Sequence, residues 1–334
     1  MNLVLCYPVE DRHLEKIAAA RADLNIINAG QEGVADALFE ADLFCGHCKV
    51  PIDWEGVVAQ GRLKWIQSSA AGMDHCLVPS VVASDIPVTS ASGVLGDQVA
   101  EHTIALLTAW CRSLPTFFAA HQKREFIRRP TRDLTHSTVG IVGFGGVGRR
   151  LSEVLAPFKT TIRAVDLIPI DKPDHVESLW GPDRLDELLA TSDIIVLCLP
   201  LNDDTRGTID GAKIDLMKPS ALLANMARGP LVITDDLVDR LNRNVIAGAV
   251  MDVTDPEPLP EDHPLWEAEN VIITPHVAGQ CATRIDDMTR LLCENLRRWE
   301  TDKPLINYLT DKRLGFPIRG PENPLWVDLQ QDIP

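Results

Sequence analysis

Apolar positions in the first hundred residues fall into short runs: Leu3 to Cys6, Leu24 to Ile27, Asp42 to Cys45, Leu63 to Gln67 and a last one around Val88. Between them, as in the stretch after Glu10, apolar residues repeat at helical spacing. Runs this short, bounded by polar turns, predict strands, and their alternation with helical segments predicts a parallel sheet covered on both faces. A longer pattern follows, Asp97-Gln-Val-Ala-Glu-His-Thr-Ile-Ala-Leu-Leu-Thr-Ala-Trp-Cys-Arg112, continuing toward Gln122. Its spacing predicts one long amphipathic helix, able to bridge two domains.

A basic stretch interrupted by proline, Lys123 to Arg132, breaks that pattern and reads as a solvated linker. The alternation then restarts with Thr138 to Gly143, Thr161 to Asp166, Asp193 to Leu199, Ala221 to Asn225, Val245 to Asp252 and Val271 to Thr274. These six runs are apolar and β-rich, the mark of strands buried on both faces. The tail from Leu314, with Pro317, Pro321, Pro324 and Pro334, reads as a strap or a loose end. No sequence repeat is evident, and 334 residues suit two domains of ordinary size.

Charge narrows the range of partners. Asp and Glu number 48 against 32 Lys and Arg, a formal net charge of −16, which repels phosphate backbones and anionic membranes. No run approaches the roughly 20 apolar residues that span a bilayer, and the opening residues lack the pattern of a secretory signal, so the expected location is cytoplasmic. The eight cysteines are scattered, several inside apolar runs where a reduced thiol is a small buried hydrophobe. Cys45-Gly46-His47-Cys48 has the spacing of a redox dithiol, but Lys49-Val50-Pro51 follows it in place of a long helix. A zinc site would need two further ligands at matching spacing, and there is no second Cys-x-x-Cys, so the motif reads as a coincidence at a strand end and no metal is expected.

Gly143-Phe144-Gly145-Gly146-Val147-Gly148 matches a dinucleotide-binding turn. It follows one predicted strand, opens a helical pattern, and is followed by a second strand ending in Asp166, 23 residues after Gly143. Gly143 permits the tight turn, Gly145 lets a pyrophosphate approach the backbone, Gly148 allows close packing of helix on strand, and the helix N-terminus faces the phosphates. Asp166 can accept hydrogen bonds from both ribose hydroxyls and would repel a 2′-phosphate, which favours NAD over NADP. Downstream, Arg228, Glu257 and His276 each sit beside a predicted strand end, where open α/β sheets bind ligands. Taken singly, each also fits a structural role in a turn or loop.

Together the Gly143 turn with Asp166, the Ala227-Arg228-Gly229 segment, Met251-Asp252-Val253 with Glu257-Pro-Leu-Pro260, and Pro275-His276-Val-Ala-Gly279 resemble the D-isomer-specific 2-hydroxyacid dehydrogenases. These include phosphoglycerate, glyoxylate/hydroxypyruvate and D-lactate dehydrogenases. The resemblance runs from roughly residue 40 to 310 and implies two doubly wound parallel-sheet α/β domains and a homodimer. A flavodoxin-like substrate domain would comprise residues 1–104 plus 282–334, with a Rossmann NAD-binding domain, 105–281, inserted in it. It also implies interconversion of a small 2-keto acid and its D-2-hydroxy acid with NAD (NADH).

Carried over by position, the resemblance makes Arg228 the residue that binds and polarises the substrate, His276 the acid/base and Glu257 its partner. Gly143, Gly145, Gly146, Val147, Gly148, Asp166, Pro200, Thr205, Ala227, Asp252 and His276 would line the cofactor, with Asp252 meeting the carboxamide. In the first domain, Ala71 and Gly72 of Ser68-Ser-Ala-Ala-Gly72-Met-Asp74 would offer backbone N–H groups to the substrate carboxylate. His102, on the long helix, reads as structural. Two positions depart from the family pattern: Phe126 stands in the linker where a Trp is usual, and His136-Ser137 where Gly-Lys is usual. The C-terminal-binding transcriptional corepressors share the resemblance and a similar Arg, Glu and His, so a dinucleotide-sensing interaction protein is the alternative. The absence of long disordered flanks favours the enzyme.

Overall fold

The computed structural model describes residues 1–268, 270–320 and 323–329. The chain divides into two compact units, Met1–Leu95 with Cys281–Pro334, and Gly96–Gln280.

In the first unit five short strands, β1 (Asn2–Leu5), β2 (Asn25–Asn28), β3 (Leu43–Gly46), β4 (Trp65–Ser68) and β5 (Val88–Thr89), pair in parallel in the order β2-β1-β3-β4-β5. This is the flavodoxin-like doubly wound order, whose direction of winding reverses between β1 and β3. Strand alternation divides the apolar side chains into two cores: Leu3, Leu5, Leu43 and Cys45 face the C-terminal helix Arg284–Glu300, while Val4, Cys6, Phe44 and Ile66 face the helices on the other side.

The two chain ends meet in a buried polar network. The indole Nε1–H of Trp65 donates to Thr89 Oγ1 (2.9 Å), the Thr89 hydroxyl donates to Gln67 Oε1 (2.8 Å), and Asn295 Nδ2 donates to that same oxygen (2.8 Å). Asn295 Oδ1 in turn accepts from the Ile306 N–H at 2.7 Å. The proline-containing tail returns onto this unit as a strap: the Trp326 N–H donates to Asn307 Oδ1 at 3.0 Å and the Trp326 side chain is buried. Of its prolines, Pro321 and Pro334 lie outside the described residues.

The second unit carries seven parallel strands: β6 (Thr138–Val142), β7 (Thr161–Val165), β8 (Ser178–Trp180), β9 (Ile194–Leu197), β10 (Leu222–Asn225), β11 (Gly248–Met251) and β12 (Val271–Ile273). Their order, β12-β11-β10-β9-β6-β7-β8, is the Rossmann order with a seventh strand added, and it reverses between β6 and β9. Ile194 and Val196 enter one core and Ile195 and Leu197 the other, which is why the sequence shows unbroken apolar runs here. β8 has no such run, because it is a half-buried edge strand of three residues, and the hydrophobic pattern does not reveal it.

The long helical pattern resolves into two helices, Gly96–Cys111 and Leu114–Gln122. Ser113, in the left-handed region at φ 53°, ends the first, and Pro115 starts the second. The whole first helix belongs to the second unit, since Ala100, Leu106 and Leu107 enter a core with Leu151 and Leu155. The boundary therefore falls at Leu95/Gly96 and not within the helix at 104/105. Residues 121–130 are exposed throughout, with Phe126 at 90 %.

Replacing Asn295 by Leu, of nearly the same size, strands the Ile306 N–H and one lone pair of Gln67. The expected loss is about 1–3 kcal/mol, the cost of an unsatisfied buried polar group. It is measured as an earlier urea-unfolding transition. An unmoved transition would show that the network does not hold the chain ends together.

Candidate active site

The glycine turn sits at the carboxyl end of β6, where the strand order of the second unit reverses. Gly143 has φ +93°, and a side chain there would strike the backbone of Cys198 and Leu199 as it leaves β9. A methyl group on Gly148 would overlap the Gly143 carbonyl, so this glycine sets how closely the helix Gly146–Leu155 approaches its strand. Gly145 differs from both. A Cβ there meets nothing within 4 Å, so the space before the helix N-terminus is open to a ligand of the cofactor's kind. Asp166, at the end of β7, accepts the Phe144 N–H on Oδ2 (2.6 Å) and the Ile168 N–H on Oδ1 (2.9 Å), which fixes its carboxylate beside the turn. These residues fit a bound dinucleotide.

On the other side of that reversal, Thr205 Oγ1 donates to the Pro200 carbonyl at 2.8 Å and accepts from the Asn202 N–H at 2.9 Å. These bonds close the Pro200–Thr205 loop on itself.

Three neighbouring strand ends carry the ionisable residues. β10 ends in Asn225, which is fully buried; its Oδ1 accepts the Ala227 N–H (3.1 Å) and its Nδ2 donates to the Arg228 carbonyl (2.8 Å), shaping the Arg228 loop. Arg228 NH1 donates to the Ala227 carbonyl at 2.7 Å. Gly229 packs so tightly on the Thr254 backbone that no Cβ fits, which ties this loop to the segment leading to Glu257.

β11 runs into Asp252, 2 % exposed. Its Oδ1 accepts the Thr274 hydroxyl (2.6 Å) and the Val277 N–H (3.0 Å), and its Oδ2 accepts the Ala278 N–H (3.0 Å). β12 leads to His276, whose N–H donates to the Asp252 carbonyl at 2.7 Å and whose backbone is left-handed at φ 54°. The His276 ring places Nδ1 2.7 Å from Glu257 Oε1, with both side chains more than a third exposed. His102 Nε2 lies 3.1 Å from Thr274 Oγ1 and 3.4 Å from Asp252 Oδ1, joining the same network.

Glu257 and His276 are therefore in direct contact, and Asp252 and Arg228 stand on adjacent strand ends. Asn225 and Thr274 were not singled out from the sequence. The available signal was a polar residue closing an apolar run, Ala221-Leu-Leu-Ala-Asn225 and Val271-Ile-Ile-Thr274.

In the first unit, Ala71 and Gly72 lie in the turn after β4. Ser68 Oγ accepts the Ala70 N–H at 3.0 Å and shapes the turn. Among the described residues no acceptor meets the N–H of Ala71 or Gly72.

Residues 104–278 match the model of the "D-isomer specific 2-hydroxyacid dehydrogenase, NAD binding domain". A glyoxylate reductase of Thermofilum pendens is 35% identical over 256 residues, 73% of this chain and 74% of that one. The human glyoxylate reductase/hydroxypyruvate reductase is 32% identical over 257 residues, covering 75% and 78%. Among solved structures, a D-isomer specific 2-hydroxyacid dehydrogenase from Xanthobacter autotrophicus, in complex with NADPH and MES, superposes with a TM-score of 0.78. It is 28% identical and covers 93% of this chain and 98% of its own.

The two glycines predict separable effects. Gly148→Ala forces backbone apart and should cost about 1–3 kcal/mol of stability. Gly145→Ala should leave the unfolding transition in place while weakening dinucleotide binding at least tenfold by fluorescence titration, equivalent to about 1.4 kcal/mol. Unaltered binding by Gly145→Ala would remove the turn from the cofactor site.

Proposed function

The chain belongs to the D-isomer-specific 2-hydroxyacid dehydrogenase family and is an oxidoreductase, and from that premise we propose that it reduces small 2-keto acids to D-2-hydroxy acids with NADH. The observation that carries the proposal is the bonded Glu257–His276 pair beyond β12, next to the β11 end that bears Asp252, with Arg228 after β10 one strand further on. The reduced nicotinamide, when bound, supplies a hydride to the carbonyl carbon. The chain's own residues do the rest. Glu257 accepts from Nδ1–H and fixes the tautomer, so Nε2 of His276 carries the proton that the carbonyl oxygen takes up. Arg228 offers its planar fork to the substrate carboxylate and carbonyl oxygen, which orients the carbon and draws charge onto the oxygen. The N–H groups of Ala71 and Gly72 serve as further carboxylate donors.

For the cofactor we assign the N–H groups of Gly145, Gly146 and Val147 to the pyrophosphate and Asp166 to the ribose hydroxyls. The Pro200–Thr205 loop borders the adenosine half, and Ala227 and Asp252 the nicotinamide half. Oδ2 of Asp252 retains a lone pair for the carboxamide. The preference for NADH rests on the Asp166 carboxylate, although the Xanthobacter relative was solved with NADPH. The exposed Phe118, Phe126 and Ile127 support a homodimer, and eight free cysteines support a cytoplasmic location.

Steady-state assays with glyoxylate, hydroxypyruvate and pyruvate beside acetaldehyde and acetone test the proposal. The carboxylates should be strongly preferred, NADH should outperform NADPH, and pyruvate should give D-lactate. Preference for the carbonyl compounds without a carboxylate would refute it.

Two variants test the assigned roles. His276→Ala should lower kcat by about 10² to 10⁴, the range for a positioned proton donor, with NADH affinity nearly intact. Arg228→Lys keeps the charge but loses the fork, so KM should rise and kcat fall together. Survival of normal turnover in either variant would move that role to another residue.

A further inference from the structure

The motif Cys45-Gly46-His47-Cys48 has no part in the chemistry above, and the fold takes it apart. Cys45 lies on β3 with its side chain among Leu3, Leu5 and Trp65 on one face of the first unit's sheet. Cys48 packs on the opposite face with Val4, Cys6 and Phe44. Alternation along β1 puts Cys6 on that second face as well, and its Sγ stands 3.8 Å from Cys48 Sγ, although 42 residues separate the two in sequence.

The surroundings of the pair are built around the Cys6 sulfur. Gly46 leaves it room, because a Cβ there would overlap Cys6 Sγ. Gln31 clamps the loop that brings Cys48 in: its Nε2 donates to the carbonyls of Cys6 (2.8 Å) and His47 (2.9 Å) and reaches Cys6 Sγ at 3.8 Å, and its Oε1 accepts the Lys49 N–H at 2.8 Å. The Cys48 thiol, working against burial and helped by the His47 N–H and the Gln31 amide, holds the Cys6 thiol below its ordinary range. Burial pushes other thiols the opposite way, Cys198 up to about 12 and Cys293 up to about 11.

We propose that Cys6 and Cys48 form a dithiol that hydrogen peroxide converts to an intramolecular disulfide. The small oxidant follows from exposure, since Cys6 is 1 % and Cys48 7 % exposed, too little for attack on a bulky disulfide. The pair lies where the winding of this sheet reverses between β1 and β3, the place where such sheets leave a crevice. In the first step the Cys6 thiolate attacks one peroxide oxygen, the O–O bond breaks, and Cys6 becomes a sulfenic acid as hydroxide leaves. In the second, Cys48 attacks the Cys6 sulfur and the S–S bond forms. The displaced oxygen leaves as water, carrying its own hydrogen and the Cys48 proton. Peroxide is reduced and the two thiols are oxidised, and an added dithiol reverses the change by exchange once the chain is unfolded or digested. The cross-link fastens the loop after β3 to the end of β1.

Intact-mass measurement and non-reducing peptide mapping of the full chain after peroxide treatment test this. The wild type should lose the mass of two hydrogens and yield one linked pair of peptides, containing Cys6 and Cys48, that dithiothreitol separates. Cys45→Ser should behave the same way, whereas Cys48→Ser should stop at a Cys6 sulfenic acid that dimedone traps when the treated chain is unfolded in its presence. A link between Cys45 and Cys48 or any other pair would overturn the proposal. So would the absence of a link while the partly exposed Cys281 is already oxidised. The wild-type map decides the matter even where a variant folds poorly.

Discussion

The candidate active site hangs on one buried carboxylate. Asp252 takes the N–H groups of Val277 and Ala278 and the hydroxyl of Thr274, and its own carbonyl takes the N–H of His276. Between these anchors His276 adopts a left-handed backbone, which costs a side chain bearing a Cβ roughly 1–2 kcal/mol. Hydrogen bonds to a charged acceptor contribute about 1.5–3 kcal/mol each, so two of them outweigh the strain and the unusual turn persists. That turn aims the imidazole at Glu257, 2.7 Å away. The ring itself is exposed, so its orientation comes from the loop beneath it and from one carboxylate beside it.

An acidic chain that takes anionic ligands needs its attraction to be local. The net charge of −16 is spread over the surface, and salt screens exposed charges beyond about 8 Å at physiological ionic strength. What a ligand meets at the glycine turn is a set of N–H groups at a helix start. What the proposed substrate would meet is the Arg228 guanidinium, on a loop that buried Asn225 shapes from both sides.

Much of this was legible in the chain. Eleven of the strands coincide with apolar runs, because parallel strands covered on both faces are apolar at most positions. The glycine turn stood out because its spacing relative to those runs is tight, whereas Arg228, Glu257 and His276, each open to a structural role when taken singly, stood out through the resemblance of their motifs to the family. Other features were hidden by the same logic. β8 is an edge strand with too few apolar residues to register. The break at Ser113 depends on one left-handed residue inside an otherwise continuous helical pattern. Asn225 and Thr274 act through bonds that close only when β10, β11 and β12 lie side by side. The Cys-x-x-Cys spacing misleads because Cys45 points through the sheet, while the partner of Cys48 is 42 residues away on β1's face.

If Asp252 acts by positioning His276, the two residues work as one unit, and a double-mutant cycle in kcat for 2-keto acid reduction measures this directly. Asp252→Asn should slow turnover sharply, because its amide group would meet a peptide N–H where a carboxylate oxygen now accepts one. Combined with His276→Ala and measured at saturating NADH, where the contact of Asp252 with the carboxamide no longer limits cofactor binding, it should slow turnover no further than His276→Ala alone, the non-additivity expected of residues that act together. Independent losses that multiply in the double variant would contradict the account and give Asp252 a catalytic contribution separate from the histidine.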